Sequence, residues 1–133
     1  MDFESMNYVV KVTRELGVGI PRIILDTSGE HKDSEYCPQT DELIYTKLGA
    51  DGYFQLAHEL RHKWQWVNHQ EEYFANYQEL DTIDLNAYGK QIAEVDANAF
   101  AAIMAMKYLD SILSFPKRSR KEKRKIYDRA KIL

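Results

Sequence analysis

The sequence is poor in features that mark several special classes of protein. Its 133 residues include one cysteine, Cys37, so an intrachain disulfide is excluded, and this residue is expected to be an inert small side chain, or else a metal ligand or a redox-sensitive thiol. No apolar run approaches the roughly 20 residues that span a bilayer. The start, Met1-Asp2-Phe3-Glu4, lacks the basic and then apolar pattern of a signal peptide. We therefore predict a cytoplasmic protein with no membrane partner.

Repeats, a glycine-rich phosphate loop and zinc-finger spacing are also absent from the sequence. Hydrophobic residues make up 44% of the chain and charged residues 29%, which is ordinary for a globular protein. A chain of 133 residues is large enough for one hydrophobic core and too small for two. These values predict a single globular domain.

Charge is distributed unevenly along the chain. Nine basic and two acidic residues lie within 117–131, which leaves nine basic and 19 acidic residues elsewhere, so the tail carries +7 and the body −10. Such a tail can bind nucleic acid or another acidic partner, or it can dock on its own acidic body. It can also be a solvated helix that touches the core through Ile126, Ala130 and Ile132 or Leu133. All three interpretations stay open at this point.

Residue periodicity predicts an α+β fold. The expected elements are a helix over 3–16 ended by Gly17, a strand over 20–26, a second strand within 35–47 that is clearest at 43–46, a helix from a cap at Asp51 to about 69, and a helix over 91–113. Pro38 should keep regular strand pairing from starting much before residue 43. The intervening residues 70–91 are expected to form short helical turns in a cleft wall or lid.

The pentad His58-Glu59-Leu60-Arg61-His62 is an HExxH motif on a predicted helix. Residues four apart share a helix face, so the two histidines can hold one cation, and Glu59 is turned roughly 100° from His58. Two neutral imidazoles suit Zn²⁺, and a carboxylate beside the metal can deprotonate water. The alternative is a pair of exposed histidines on a solvated helix face.

A catalytic zinc needs a third protein ligand. His69 lies roughly 10 Å along the axis from the second histidine and cannot reach without a break in the helix. His31, in a polar loop, stays open. Glu94 is the better candidate, because it lies in an Ala-rich stretch where a buried carboxylate is costly unless paired or metal-bound. Asn98, one turn later, could orient a ligating histidine. Alternatively, Glu94 and Asp96 simply begin a helix, where carboxylates are favourable.

Two stretches, 54–62 and 94–101, together resemble the gluzincin-type metallopeptidases of the ImmA/IrrE family and related small phage and bacterial metallopeptidases. The resemblance implies zinc on His58, His62 and Glu94, with Glu59 as the catalytic carboxylate. It also implies a zincin-like domain over 1–116, in which a small β-sheet packs on the HExxH helix and a second core helix, followed by a basic helical tail over 117–133. The chain departs from the family at Arg61, where a glycine is usual, and in a second helix that is expected to continue to 114–116.

The faces of the HExxH helix give further expectations. An apolar stripe should face the core, formed by Ala57, Leu60, Trp64 and Val67. Arg61 and Lys63 should lie on the outer helix face, or else meet an acidic substrate. On the second helix, core positions are expected at Phe100, Ile103, Met104, Tyr108 and Ile112.

The motifs predict a zinc-dependent peptidase that acts on a specific protein or peptide substrate. Tyr88, Tyr73 and His69 are candidates to stabilise the oxyanion by chemistry alone. A second hypothesis is a regulatory or binding module with a zincin fold and little hydrolysis. A third is a nucleic-acid-associated protein with a structural metal, although a structural zinc normally has four protein ligands and three are evident.

Overall fold

The computed structural model describes residues 1–31, 33–46, 52–79, 83–110 and 119–133. The elements are α1 (Phe3–Leu16), β1 (Arg22–Leu25), β2 (Glu35–Cys37), β3 (Glu42–Tyr45), α2 (Gly52–Phe74), α3 (Leu85–Gly89), α4 (Ile92–Leu109) and α5 (Arg120–Ala130). They form one small α+β domain, so the predicted class is confirmed. Within the described ranges, no helix is both long and apolar enough to cross a bilayer.

Helix α1 begins and ends where the sequence predicts. The Asp2 carboxylate accepts a hydrogen bond from the Ser5 amide at 2.7 Å and caps the first turn. Gly17 adopts φ 67°, the left-handed conformation that favours glycine, and so ends the helix. Between these caps, Val9 and Val12 are fully buried in the core.

The sheet has three strands in the order β1-β3-β2. Strand β3 pairs in parallel with β1 and antiparallel with β2. Leu43 and Tyr45 alternate along β3 and are buried in the core. The expectation that Pro38 delays pairing is wrong, because β2 ends at Cys37. Pro38 follows the strand, where the missing N–H is not needed for the ladder, and a turn through Asp41 at φ 52° leads into β3.

Helices α2 and α4 pack against each other at the centre of the domain. Leu56, Ala57 and Leu60 share one core cluster with Phe100 and Met104, among others. Trp64 also packs on this cluster, as predicted, but Val67 is 59% exposed. The prediction for Val67 is wrong because it lies about 10 Å along the helix beyond Leu60, past the part of α2 that the core covers.

Helix α4 is shorter than predicted. It ends at Leu109, with Asp110 in the left-handed conformation at φ 52°. The expected continuation to 113 and to 114–116 falls outside the described residues. An aspartate tolerates this conformation better than most residues and here closes the helix. Ile112, the cap expected at Asp51 and the boundary proposed between 116 and 117 lie outside the described residues.

The basic tail forms α5, which packs on α4. Ile126 and Ala130 are buried with Val95 and Ala99 in a second core cluster, so their predicted contact is confirmed. The expected contact through Ile132 or Leu133 is wrong: these side chains are 72% and 43% exposed. Most cations of α5 point away from the cluster into solvent. The hypothesis of a nucleic-acid or acidic partner for 117–131 stays a prediction.

Candidate metal centre

Three of the predicted side chains meet at one point between α2 and α4. His58 and His62 lie one turn apart on α2, with their Nε2 atoms 3.0 Å from each other. Glu94 lies in the first turn of α4. Its Oε1 is 3.2 Å from His58 Nε2 and its Oε2 is 3.0 Å from His62 Nε2. One potential ligand atom from each residue lies within 4.8 Å of the others, and the group is largely buried.

Both imidazoles are oriented by side-chain amides. His58 Nδ1 lies 2.7 Å from Asn98 Oδ1, and His62 Nδ1 lies 2.8 Å from Gln65 Oε1. An amide oxygen only accepts, so each Nδ1–H donates, and each Nε2 is the ring nitrogen left to face Glu94 or a metal. Gln65 is fixed in this orientation because its NH₂ group donates to the Ala93 carbonyl at 3.0 Å. Both Nε2 atoms therefore face the Glu94 carboxylate.

This set of donors fits zinc. Two imidazole nitrogens and a carboxylate oxygen are a ligand set found in catalytic zinc sites, which keep a fourth position open. Asn98 makes the contact predicted for it. Gln65 was not assigned a role from the sequence, although it falls on the histidine side of the HExxH helix. A polar residue three positions after the second histidine, on a face that enters the protein, was the available signal.

The electrostatics of the three side chains are strongly coupled. Burial acts to raise the pKa of Glu94, but the His62 charge and hydrogen bonds from both histidines hold it well below its ordinary value. Burial acts to lower the pKa of His62, whereas the Glu94 charge and hydrogen bond raise it to about 10. Glu94 is therefore an anion, which is the form that ligates a cation.

Glu59 lies beside the three donors. Its Oε2 is 3.7 Å from His58 Nε2, and its Oε1 accepts a hydrogen bond of 3.0 Å from the Tyr36 amide on β2. Burial raises the pKa of Glu59 above its ordinary value, and the nearby histidines offset only part of this increase. A carboxylate with a raised pKa holds a proton more readily and is suited to accept one.

A cleft of about 560 Å³ opens beside the centre, with Glu59 and His62 in its lining. One side is β2 and the residues before it, and the other is formed by the end of α2 and the segment after it. The expectation that residues 70–91 contribute a cleft wall is met by Phe74, Tyr77 and Tyr88. The predicted catalytic carboxylate thus has access to a ligand.

Two tyrosine hydroxyls reach the centre from that wall. The Tyr77 hydroxyl donates to Glu94 Oε2 at 2.9 Å, and the Tyr88 hydroxyl lies 2.9 Å from that of Tyr77. Burial and the Glu94 charge raise the pKa of both phenols, so both stay protonated near neutral pH. Of the candidates to stabilise an oxyanion, Tyr88 is the one in the cleft lining.

The other two oxyanion candidates make contacts elsewhere. The Tyr73 hydroxyl accepts a hydrogen bond from Arg129 at 3.1 Å. His69 stacks on Trp64, with ring centroids 4.7 Å apart, and its Nδ1 is 3.2 Å from Glu72. His69 also interrupts α2, with φ −143° and ψ 41°, yet it does not join the three donors.

The two remaining metal-ligand candidates from the sequence also lie outside the group of three. His31 Nδ1 is 3.2 Å from Asp26 Oδ2 in the loop after β1. Cys37 lines the cleft, where burial and then the charges of nearby glutamates raise the pKa of its thiol. A raised pKa disfavours the thiolate that binds metal.

The expectation that Arg61 and Lys63 lie on an outer helix face is wrong. Neither residue lines the cleft. Their exposed fractions are 7% and 6%. Arg61 donates to Asp96 twice, at 2.7 and 3.0 Å, and its guanidinium lies 3.8 Å from the centroid of the Trp64 ring. Lys63 pairs with Asp41 at 3.0 Å. Buried cations are tolerated here because each has a carboxylate partner.

Asp96 connects this ion pair to the metal centre and to α5. It also accepts hydrogen bonds from Gln65 at 2.8 Å and from Arg129 at 2.9 Å. Gln65 in turn holds His62, so a continuous set of contacts joins α5, α4 and α2. Arg61 is thereby part of the support of the second histidine.

Comparison of the chain with family models, curated proteins and solved structures finds no match. Function is therefore inferred from the residues and their geometry.

Proposed function

We propose that this chain is a zinc-dependent peptidase with a zincin-like domain. The observation that carries the proposal is the convergence of His58 Nε2, His62 Nε2 and Glu94 at the side of an open cleft. The carboxylate of Glu59 lies beside these three donors and is not one of them. A structural site would need a fourth protein ligand and would leave Glu59 without a role.

The residues divide the chemistry between them. Zinc held by His58, His62 and Glu94 would act as a Lewis acid toward a peptide carbonyl and make water more acidic. Glu59 accepts a proton from the attacking water through its Oε2, because its Oε1 is held by the Tyr36 amide. The protonated carboxyl then delivers that proton to the leaving nitrogen.

The side of the cleft that carries the tyrosines supplies a second group to stabilise the oxyanion. Tyr88 lines the cleft and keeps its proton, so it can donate a hydrogen bond to the oxygen on which negative charge develops. Tyr77 has a different role, since its proton is engaged by Glu94. It holds the carboxylate oxygen nearest to His62.

The test is Glu59→Gln, which keeps the shape of the side chain and removes the base. The purified wild-type protein and this variant should both bind about one zinc ion per chain, whereas His62→Ala should lose most of the zinc. Hydrolysis of a denatured protein substrate such as casein should fall by about 10²- to 10⁴-fold in Glu59→Gln. Glu72→Gln is the matched control, because Glu72 lies on the same helix and is exposed.

The outcomes separate the hypotheses. Unchanged hydrolysis in Glu59→Gln would exclude Glu59 as the base and refute the mechanism. A wild-type protein that holds zinc but cuts neither casein nor a randomised peptide library would favour the regulatory or binding module instead. Full zinc retention in His62→Ala and in Glu94→Ala would refute the metal centre itself.

A further inference from the structure

The two walls of the cleft differ in chemistry. Four aromatic rings follow one another along one wall, from Trp66 through Phe74 and Tyr77 to Tyr88, with successive centroids 5.6, 5.3 and 6.0 Å apart. A continuous wall of this kind presents apolar ring faces whose edges are polar only at the two hydroxyls and the Trp66 indole N–H. It suits an apolar side chain or a flat cation.

The opposite wall is acidic. It is lined by Glu35, the first residue of β2, and by Asp33, two residues before that strand, and both are exposed. Neither makes an ion pair within the part of the chain that the structure describes. Among the described residues that line the cleft, none is a lysine or arginine, whereas Glu59 and Glu79 add two further carboxylates.

A cleft with these walls prefers a positively charged ligand. Carboxylates on one side attract a cation, and the aromatic faces on the other side attract the same cation through the ring quadrupole. Arginine and lysine side chains combine a charged head with an apolar stem, so they can satisfy both walls. Phosphates and acidic peptides meet like charge instead, which disfavours nucleic acid as the ligand of this cleft.

We propose that the cleft selects peptide segments in which an arginine or lysine lies beside an apolar residue, and that it rejects acidic segments. This inference rests on the proposed peptidase function, since it names the substrate class of the same site.

The size of this charge preference can be calculated from the typical strength of exposed ion pairs. One such pair changes an equilibrium constant by a factor of about 1.5 to 5, so two carboxylates give roughly 2- to 25-fold. Repulsion of an acidic segment adds to the ratio between the two charges. The preference should shrink in high salt, because the Debye length falls from about 10 Å at 0.1 M to about 3 Å at 1 M.

Two fluorescent decapeptides of the same length test the inference. Both carry a central Leu-Phe pair, flanked by arginines in one peptide and by glutamates in the other. Affinity for zinc-loaded Glu59→Gln is measured by fluorescence polarisation at low and high salt, and cleavage by the wild-type protein is followed by mass spectrometry. We expect the basic peptide to bind at least about fivefold more tightly at low salt.

Charge reversal on the acidic wall provides the internal comparison. The double variant Asp33→Lys with Glu35→Lys should lose or invert the preference. Glu4→Lys with Glu30→Lys makes the same change in net charge at exposed residues that do not line the cleft, and should keep it. Both variants are compared with wild type by circular dichroism to confirm the fold.

Each outcome identifies which proposal has failed. Equal affinities for the two peptides at low salt, or equal loss of preference in both double variants, would overturn the inference on the cleft. Equal cleavage of both peptides would also overturn the inference on the cleft, but it would leave the peptidase proposal intact. Preferential binding of the basic peptide without cleavage would support the cleft inference and count against the peptidase.

Discussion

Asp96→Asn is the substitution for which the structure gives the largest calculable effect away from the metal ligands. Asp96 is 1% exposed and accepts four hydrogen bonds. Its Oδ1 accepts from Arg61 Nη2 at 3.0 Å and Arg129 Nε at 2.9 Å. Its Oδ2 accepts from Arg61 Nε at 2.7 Å and Gln65 Nε2 at 2.8 Å. Both oxygens are therefore fully used.

The magnitude follows from the count of lost acceptors. Asparagine has one NH₂ group in place of an oxygen, so in either orientation two of the four donors face another donor. Hydrogen bonds to charged groups contribute about 1.5–3 kcal/mol each, which gives a loss of about 3–6 kcal/mol. Breaking a buried ion pair costs about 3–5 kcal/mol, in agreement, because Arg61 stays buried and charged. We expect about 4 kcal/mol, a large part of the roughly 5–15 kcal/mol typical of a domain.

Urea unfolding followed by circular dichroism measures this loss. A chelator is present throughout, because metal that binds only the folded state would add to stability. The matched control is Asp128→Asn on α5, where an exposed pair with Arg124 at 3.5 Å should contribute less than about 0.5 kcal/mol. If the free energies of unfolding of the two variants differ by less than about 1 kcal/mol, Asp96 does not hold the buried network as described.

Two further predictions concern the support of His62 and the loop after β1. Gln65→Leu should weaken zinc binding by about 10- to 100-fold in a competition assay with a chromophoric chelator, whereas Asn68→Leu, an exposed amide on the same helix, should leave it unchanged. Hydrogen bonds from Ser28 and from the His31 amide lower the pKa of Asp26 far below its ordinary value. The stability it contributes is therefore present above pH of about 3.9 and is lost as pH falls toward the folded-state pKa, so the stability difference between wild type and Asp26→Asn should shrink below about pH 4. A difference that stays constant down to pH of about 2 would contradict this.

The convergence of the three candidate ligands could be predicted from the sequence because its geometry is mostly local. The spacing of four between His58 and His62 fixes their shared face as soon as the segment is helical. Glu94 needed a second inference, since a carboxylate in an Ala-rich buried helix requires a partner. The structure brings these three side chains together, and the position of Asn98 one turn after Glu94 places its amide at His58.

The residues that were misjudged depend on tertiary contacts rather than on local pattern. Arg61 and Lys63 read as surface residues by type, and only the approach of Asp96 from α4 and Asp41 from the turn before β3 makes their burial possible. Strand β2 was missed because three residues give no periodic signal. Its pairing with β3 is decided across a turn, and Tyr36 gains a second partner in Glu59, 23 residues later.

Helix α5 belongs energetically to the body of the domain, although its charge suggests an independent tail. Ile126 is fully buried against α4, and removal of the helix would expose the apolar surface that it covers. Arg129 donates to Asp96, and the other oxygen of that carboxylate holds Gln65, which orients His62. Loss of α5 would therefore act on both the core and the support of the second histidine. The exposed cations are free to serve a separate partner, but the buried face of the same helix has its role inside the fold.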